Sequence, residues 1–142
     1  MISFTNLPLE LEGVNFKLKQ WLKEIIRQEG FEPGDIKYFF YNDEQLLEVN
    51  LKFLNHDTYT DIITFDYGEA NLVQGEIYIS EERVRENAVT MGQALFDEML
   101  RVVVHGVLHL CGYKDKTAED ASVMRQKESW AIQCYKKLNS KY

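Results

Sequence analysis

Disulfide chemistry is almost absent from this sequence. Its 142 residues include two cysteines, Cys111 and Cys134, and only three histidines. Two cysteines build no disulfide framework, and free thiols fit a reducing compartment, so the expected location is the cytoplasm. No apolar run approaches the ~20 residues of a membrane span, so no membrane partner is expected. The opening residues Met1-Ile2-Ser3-Phe4-Thr5-Asn6 lack the basic-then-apolar profile of a signal peptide. Positive charge is scarce too, with 16 Lys and Arg against 23 Asp and Glu, a net of −7. That balance argues against tight, nonspecific nucleic-acid binding by the whole surface. Repeats, linkers and low-complexity tracts are missing.

What is present suits a globular protein. The chain is 45% hydrophobic and 13% aromatic, and its length is that of one domain, read as residues 1–142. The charge is uneven. Residues 114–142 carry seven basic and four acidic residues, whereas residues 1–113 carry nine and nineteen. The basic excess starts at Lys114 and Lys116 and runs through Arg125, Lys127, Lys136, Lys137 and Lys141. A solvated helix face accounts for it as well as a phosphate-facing patch does.

Periodicity predicts a helix over 14–29, with Val14, Leu18, Trp21, Leu22, Ile25 and Ile26 at helical spacing and Gly30 as the stop. Ile36 to Tyr41 reads as an aromatic strand. Asn42 or Asp43 caps the next helix, with Gln45 three after Asn42 as in a capping box. Leu46, Leu47, Val49, Leu51, Phe53 and Leu54 give that helix a broad apolar face. The polar connection 55–60, containing His56, leads to strands at 61–66 and 75–80. Ser80 starts a helix with Glu81 and Glu82 in its first turn. A helix over about 93–111 follows, and Thr117 opens a last one carrying Val123, Met124, Trp130, Cys134 and Leu138. Trp21, Trp130 and the 36–41 aromatics read as core. These elements predict an α+β fold, a small mixed sheet of about four strands covered by helices.

The chemistry concentrates in His105-Gly106-Val107-Leu108-His109-Leu110-Cys111-Gly112-Tyr113-Lys114-Asp115. On a helix, a spacing of four residues turns the chain by about 400°, so both imidazoles share one face. Cys111 falls about 200° from His109, on the wrong face. Gly112 can end the helix in the left-handed conformation and let Asp115 double back. Three ligands with one open position are the arrangement of a catalytic zinc. A single histidine on so apolar a helix would be read as a hydrogen-bonded core residue. Two on one face, with a helix-ending glycine and a carboxylate beyond, favour a metal site holding one zinc ion on His105, His109 and Asp115. Arg101, one turn before His105, and Lys114 and Lys116 beside Asp115 are candidate phosphate contacts. A salt bridge explains Arg101 equally well.

The ligand spacing is that of the metzincin peptidases, but Gly106 stands where those enzymes place the glutamate base. Glu98 or Asp97 could replace it. The nine residues 105–113, as H-G-x-L-H-L-x-G-Y, resemble the signature of the YbeY family, bacterial metal-dependent endoribonucleases linked to ribosomal RNA maturation. Leu54-Asn55, Thr60-Asp61-Ile62-Ile63-Thr64-Phe65 and Gly75-Glu76-Ile77-Tyr78-Ile79-Ser80 extend the resemblance over most of the chain. It implies a single-strand-specific endoribonuclease that matures the 3′ end of 16S ribosomal RNA, with the small ribosomal subunit as partner. The chain departs from the family pattern twice. Lys114-Asp115 replaces Asp-His, so a carboxylate takes the third ligand position. The family's substrate-facing loop arginine is missing between Asn55 and Thr60, where only His56 can carry positive charge. The plain explanation of His56 is a turn histidine. Two further readings stay open: a metallopeptidase-like hydrolase, and a non-catalytic ribosome-assembly factor in which zinc staples helices together.

Overall fold

The computed structural model describes residues 1–54 and 60–139. His56 and the rest of 55–59 lie outside the described residues, as do Lys141 and the rest of 140–142. The elements in order are β1 (Ile2–Thr5), α1 (Leu9–Glu12), α2 (Asn15–Gln28), β2 (Glu32–Tyr41), α3 (Asp43–Leu54), β3 (Ile62–Asp66), β4 (Leu72–Ser80), α4 (Glu81–Thr90), α5 (Leu95–Leu110) and α6 (Ala118–Asn139). The sheet order is β1-β2-β4-β3. β1, β2 and β4 run parallel, and β3 is the antiparallel edge. This is the α+β fold with a four-stranded mixed sheet that the sequence predicts.

Several helix ends are built by local chemistry. Asn42 and Gln45 form the reciprocal capping box at the start of α3: Gln45 N–H donates to Asn42 Oδ1 at 2.8 Å and Asn42 N–H to Gln45 Oε1 at 3.0 Å. The Ser80 hydroxyl accepts from Arg83 N–H at 3.2 Å and caps α4. Thr117 Oγ1 accepts from Asp120 N–H at 3.0 Å at the start of α6.

The core lies between one sheet face and the helices. Ile36, Tyr38 and Phe40 of β2 alternate inward beside Val73, Ile77 and Ile79 of β4. α2 adds Leu18, Trp21, Leu22, Ile25 and Ile26, and α5 adds an almost continuous buried surface from Met99 to Leu110. Two buried hydrogen bonds fix the layers. Tyr38 OH donates to the Val103 carbonyl of α5 at 2.6 Å, and Trp21 Nε1 donates to the Ala131 carbonyl of α6 at 2.7 Å. Both bonds clamp the helices that carry the site.

The sequence reading differs from the structure in several places, and β4 starts three residues earlier than expected, at Leu72. β1 and α1 are additional elements, and β1 is held by pairing Ile2 with Ile36 across 34 positions, a contact that no local pattern announces. β2 starts at Glu32, four residues early, because the strand absorbs Pro33 and Gly34 at an irregularity between Pro33 and Ile36. On α3 only Leu46 and Asn50 are buried, so the expected apolar face is largely exposed at Leu51, Phe53 and Leu54. Val123 is exposed as well, and Phe39 and Tyr41 lie half-buried on the outer sheet face.

Gly106 marks where α5 touches the sheet most closely. A Cβ there would lie 2.8 and 2.9 Å from Ile77 Cγ2 and Cδ1, and 3.3 Å from Ile62 Cδ1. Ile77 is fully buried in the centre of the sheet and cannot move aside freely. Gly106→Ala is therefore expected to destabilise the protein by about 1–3 kcal/mol through overpacking, measured as a lower midpoint in urea at unchanged slope.

Candidate metal centre

The site is built from the end of α5 outward. Helix α5 stops in a Schellman turn: Tyr113 N–H donates to the Leu108 carbonyl at 3.1 Å, and Gly112 N–H to the His109 carbonyl at 3.0 Å. Gly112 takes φ +106°, a left-handed value that side chains resist. The chain reverses and brings Asp115 under the two rings. Asp115 Oδ2 stands 3.3 Å from His105 Nε2 and 3.3 Å from His109 Nε2. One donor atom from each of the three residues lies within 4.8 Å of the other two.

The outer nitrogens are tied down. His109 Nδ1 lies 2.8 Å from the Tyr113 carbonyl oxygen. A carbonyl only accepts, so Nδ1 carries the hydrogen and Nε2 presents its lone pair to the site. His105 Nδ1 lies 2.5 Å from Glu128 Oε2, which places its hydrogen in the same way. With both rings neutral, two lone pairs and a carboxylate oxygen converge. Such a set is stable around a cation. Ligand atoms roughly 2.0–2.1 Å from a zinc at tetrahedral angles stand about 3.3–3.4 Å apart, which the spacing to Asp115 meets. The donor set therefore fits one divalent ion.

The surroundings hold this geometry. Glu128 is almost fully buried on α6 and also accepts from Arg101 Nη1 at 3.3 Å. Arg101 in turn grips Glu98 through both Nε and Nη2. The hydrogen bonds to Glu98 hold the guanidinium pKa above its usual value. The Tyr113 hydroxyl donates to Glu29 at 2.6 Å, and Lys127 donates to the same carboxylate at 2.8 Å, so the turn carrying Asp115 is bound to α2 and α6. Burial, then the Glu29 bond, pushes the Tyr113 phenol up and keeps it a donor. Cys111 lies off the ligand face, and burial pushes its thiol up to about 12, leaving a poor metal ligand.

The donors open on a cleft of about 470 Å³, lined by Arg101, Val102, His105 and His109 of α5, by Asp115, by Thr60, Asp61, Ile62 and Thr64 at the sheet edge, and by α6. His105 is 13% exposed, His109 23% and Asp115 43%, so the carboxylate faces the open side. Of the candidate phosphate contacts, Arg101 reaches the cleft but is held between two carboxylates. Lys114 and Lys116 are exposed and outside the cleft lining. Neither Asp97 nor Glu98 lines it. Asp97 is 3.8 Å from Lys136, and Glu98 is buried on Arg101.

Of the charged lining residues, Glu128 is not singled out by the sequence, Arg125 appears there only within the basic run, and Asp61 only within a longer segment. A signal for Glu128 existed. Met124, Glu128, Ala131, Tyr135 and Leu138 recur at steps of four and three along one buried stripe of α6, and a carboxylate interrupts that apolar pattern. Because Glu128 orients His105, Glu128→Gln is expected to weaken metal binding by about 10–100-fold while the fold persists, read by competition with a chelating dye.

Comparison with known proteins supplies the family. The sequence model described as Endoribonuclease YbeY matches residues 5–136. An endoribonuclease YbeY of Christiangramia forsetii is 47% identical over 114 residues, covering 80% of each chain. One from Parabacteroides distasonis is 45% identical over 132 residues, 92% of this chain and 93% of its own. The solution structure of TM1509 from Thermotoga maritima superposes with a TM-score of 0.67 at 27% identity, over 100% of this chain and 96% of that one. A match over nearly the whole length, with relatives well above 30% identity, means that the chain belongs to the endoribonuclease YbeY family.

Proposed function

We propose that the protein is a metal-dependent endoribonuclease that cuts single-stranded RNA, with its physiological substrate in ribosomal RNA at the 3′ end of the small-subunit RNA. The carrying observation is the convergence of two imidazole lone pairs and the Asp115 carboxylate at the floor of an open cleft, in a chain of this family. One zinc ion held by His105, His109 and Asp115 would supply a Lewis acid for a phosphodiester oxygen or for an attacking water. The cytoplasm is the compartment this reading assumes. Among the described residues no helix is long and apolar enough to cross a membrane.

The chain's own groups have distinct tasks. His105 and His109 are fixed in one tautomer by Glu128 and by the Tyr113 carbonyl, so they cannot swing out to accept protons. Asp61 lines the cleft beside the edge strand, and its carboxylate makes no side-chain hydrogen bond or ion pair among the described residues. It is the lining carboxylate free to take the proton of the attacking hydroxyl at an Oδ atom. No equivalent group can stand at position 106, where the sheet leaves no room for a Cβ.

The peptidase reading loses its base at Gly106, and the structural-zinc reading asks for a closed coordination sphere. Among the described residues only three donors gather. A mixed-sequence single-stranded RNA and casein, each incubated with and without chelator, separate the three. The endoribonuclease reading expects chelator-sensitive RNA cleavage and intact casein. Casein cleavage favours the peptidase, and inactivity on both, with a melting temperature that falls on chelation, favours the structural zinc.

A further inference from the structure

We propose that Arg125 is the side chain that binds a phosphate of the RNA strand in the cleft. This inference rests on the endoribonuclease reading above.

Ala121, Met124, Arg125 and Glu128 are spaced by three, four and seven residues from the first, so they occupy one face of α6. All four line the cleft that holds His105, His109 and Asp115. Arg125 thus shares a face, one turn away, with the carboxylate that orients His105. It is exposed, and it makes no ion pair or side-chain hydrogen bond among the described residues.

Charge decides between the two arginines of the cleft. Arg101 is held by Glu98 and Glu128, which take three of its five N–H donors and more than balance its charge. The remaining lining charges are the carboxylates of Asp61 and Asp115 and the guanidinium of Arg125. A divalent ion cancels those two carboxylates, Arg101 offsets one of its two partners, and Arg125 brings the group to neutrality. Without it, a net −7 protein would offer its polyanionic substrate a negatively charged site. A guanidinium is also the group best matched to phosphate, through two parallel N–H bonds.

Arg125 stands at a junction as well. It lines a second groove, of about 280 Å³, together with Gln93, Arg101, Gln133 and the carboxylates of Asp97 and Glu98, which are paired with Lys136 and Arg101. The two grooves meet at Arg101 and Arg125. A strand lying in the cleft and leaving along α6 would pass Arg125 with a flanking phosphate. The contact fixes backbone position and reads no base, so it predicts binding without sequence preference.

The test uses the full-length, zinc-loaded protein and a fluorescent mixed-sequence single-stranded RNA, with initial rates at several salt concentrations. Arg125→Met is expected to lower kcat/KM by about 10–100-fold, mainly through KM, as loss of a charged hydrogen-bond pair does. The slope of log KM against log salt should shrink by about 0.7, the share of one phosphate contact on a single strand. Arg125→Lys should restore that slope and part of the activity. Zinc content and melting temperature should stay those of the wild type. Wild-type KM and slope in Arg125→Met overturn the proposal, and so does a loss that comes with lost zinc or a lower melting temperature. A wild-type protein that cuts no RNA is a different failure: it refutes the endoribonuclease reading and takes this assignment with it.

Discussion

Replacing His109 by alanine is expected to remove stoichiometric zinc and to bring RNA cleavage to background, a loss of at least about 10³-fold. Two donors, His105 and Asp115, would remain, and they cannot hold a tetrahedral ion with useful affinity. The fold should survive, because His109 is 23% exposed and its ring makes one hydrogen bond among the described residues, to the Tyr113 carbonyl. The Schellman turn that positions Asp115 is a backbone structure and does not need the imidazole. Metal analysis, circular dichroism and the RNA assay on one preparation separate these effects. A His109→Ala protein that keeps one equivalent of zinc contradicts the ligand assignment, and one that loses zinc but cuts RNA at the wild-type rate contradicts the role of the ion.

Asp61→Asn is expected to lower kcat by about 10²–10⁴-fold, the range in which a positioned acid–base group contributes. The substitution keeps size and polarity, and Asp61 is outside the donor set, so zinc content should stay at one equivalent. The Asp61 backbone carbonyl accepts from Ser80 N–H at 2.9 Å, and that bond is indifferent to the side chain. KM should change little, because the group acts on a proton that moves in the transition state. An unchanged kcat assigns the base elsewhere and leaves the metal centre intact. A loss of zinc together with activity makes Asp61 part of the donor set.

The contrast among His105, Arg101 and Arg125 shows how far sequence reasoning reaches. The positions of the two imidazoles, of Gly112 and of Asp115 follow from helical spacing and one left-handed residue, so they are legible within eleven residues. The capping box at Asn42 and Gln45 and the Ser80 cap are legible for the same reason. Arg101 shares the face of His105 as expected, yet its availability depends on Glu128, 27 residues away on another helix. Arg125 was visible only as part of a basic tail, since its place in the cleft depends on how α6 docks against α5. β1 escaped because four residues carry no periodicity, and their pairing with β2 is nonlocal.

The most direct test of the central claim is the coordination of the metal in the purified protein, read by zinc X-ray absorption together with stoichiometry. The account predicts one zinc per chain with two imidazole nitrogens, one carboxylate oxygen and one exchangeable water oxygen. A fourth protein ligand closing the sphere, or a preparation that folds fully and takes up no divalent ion, would contradict it.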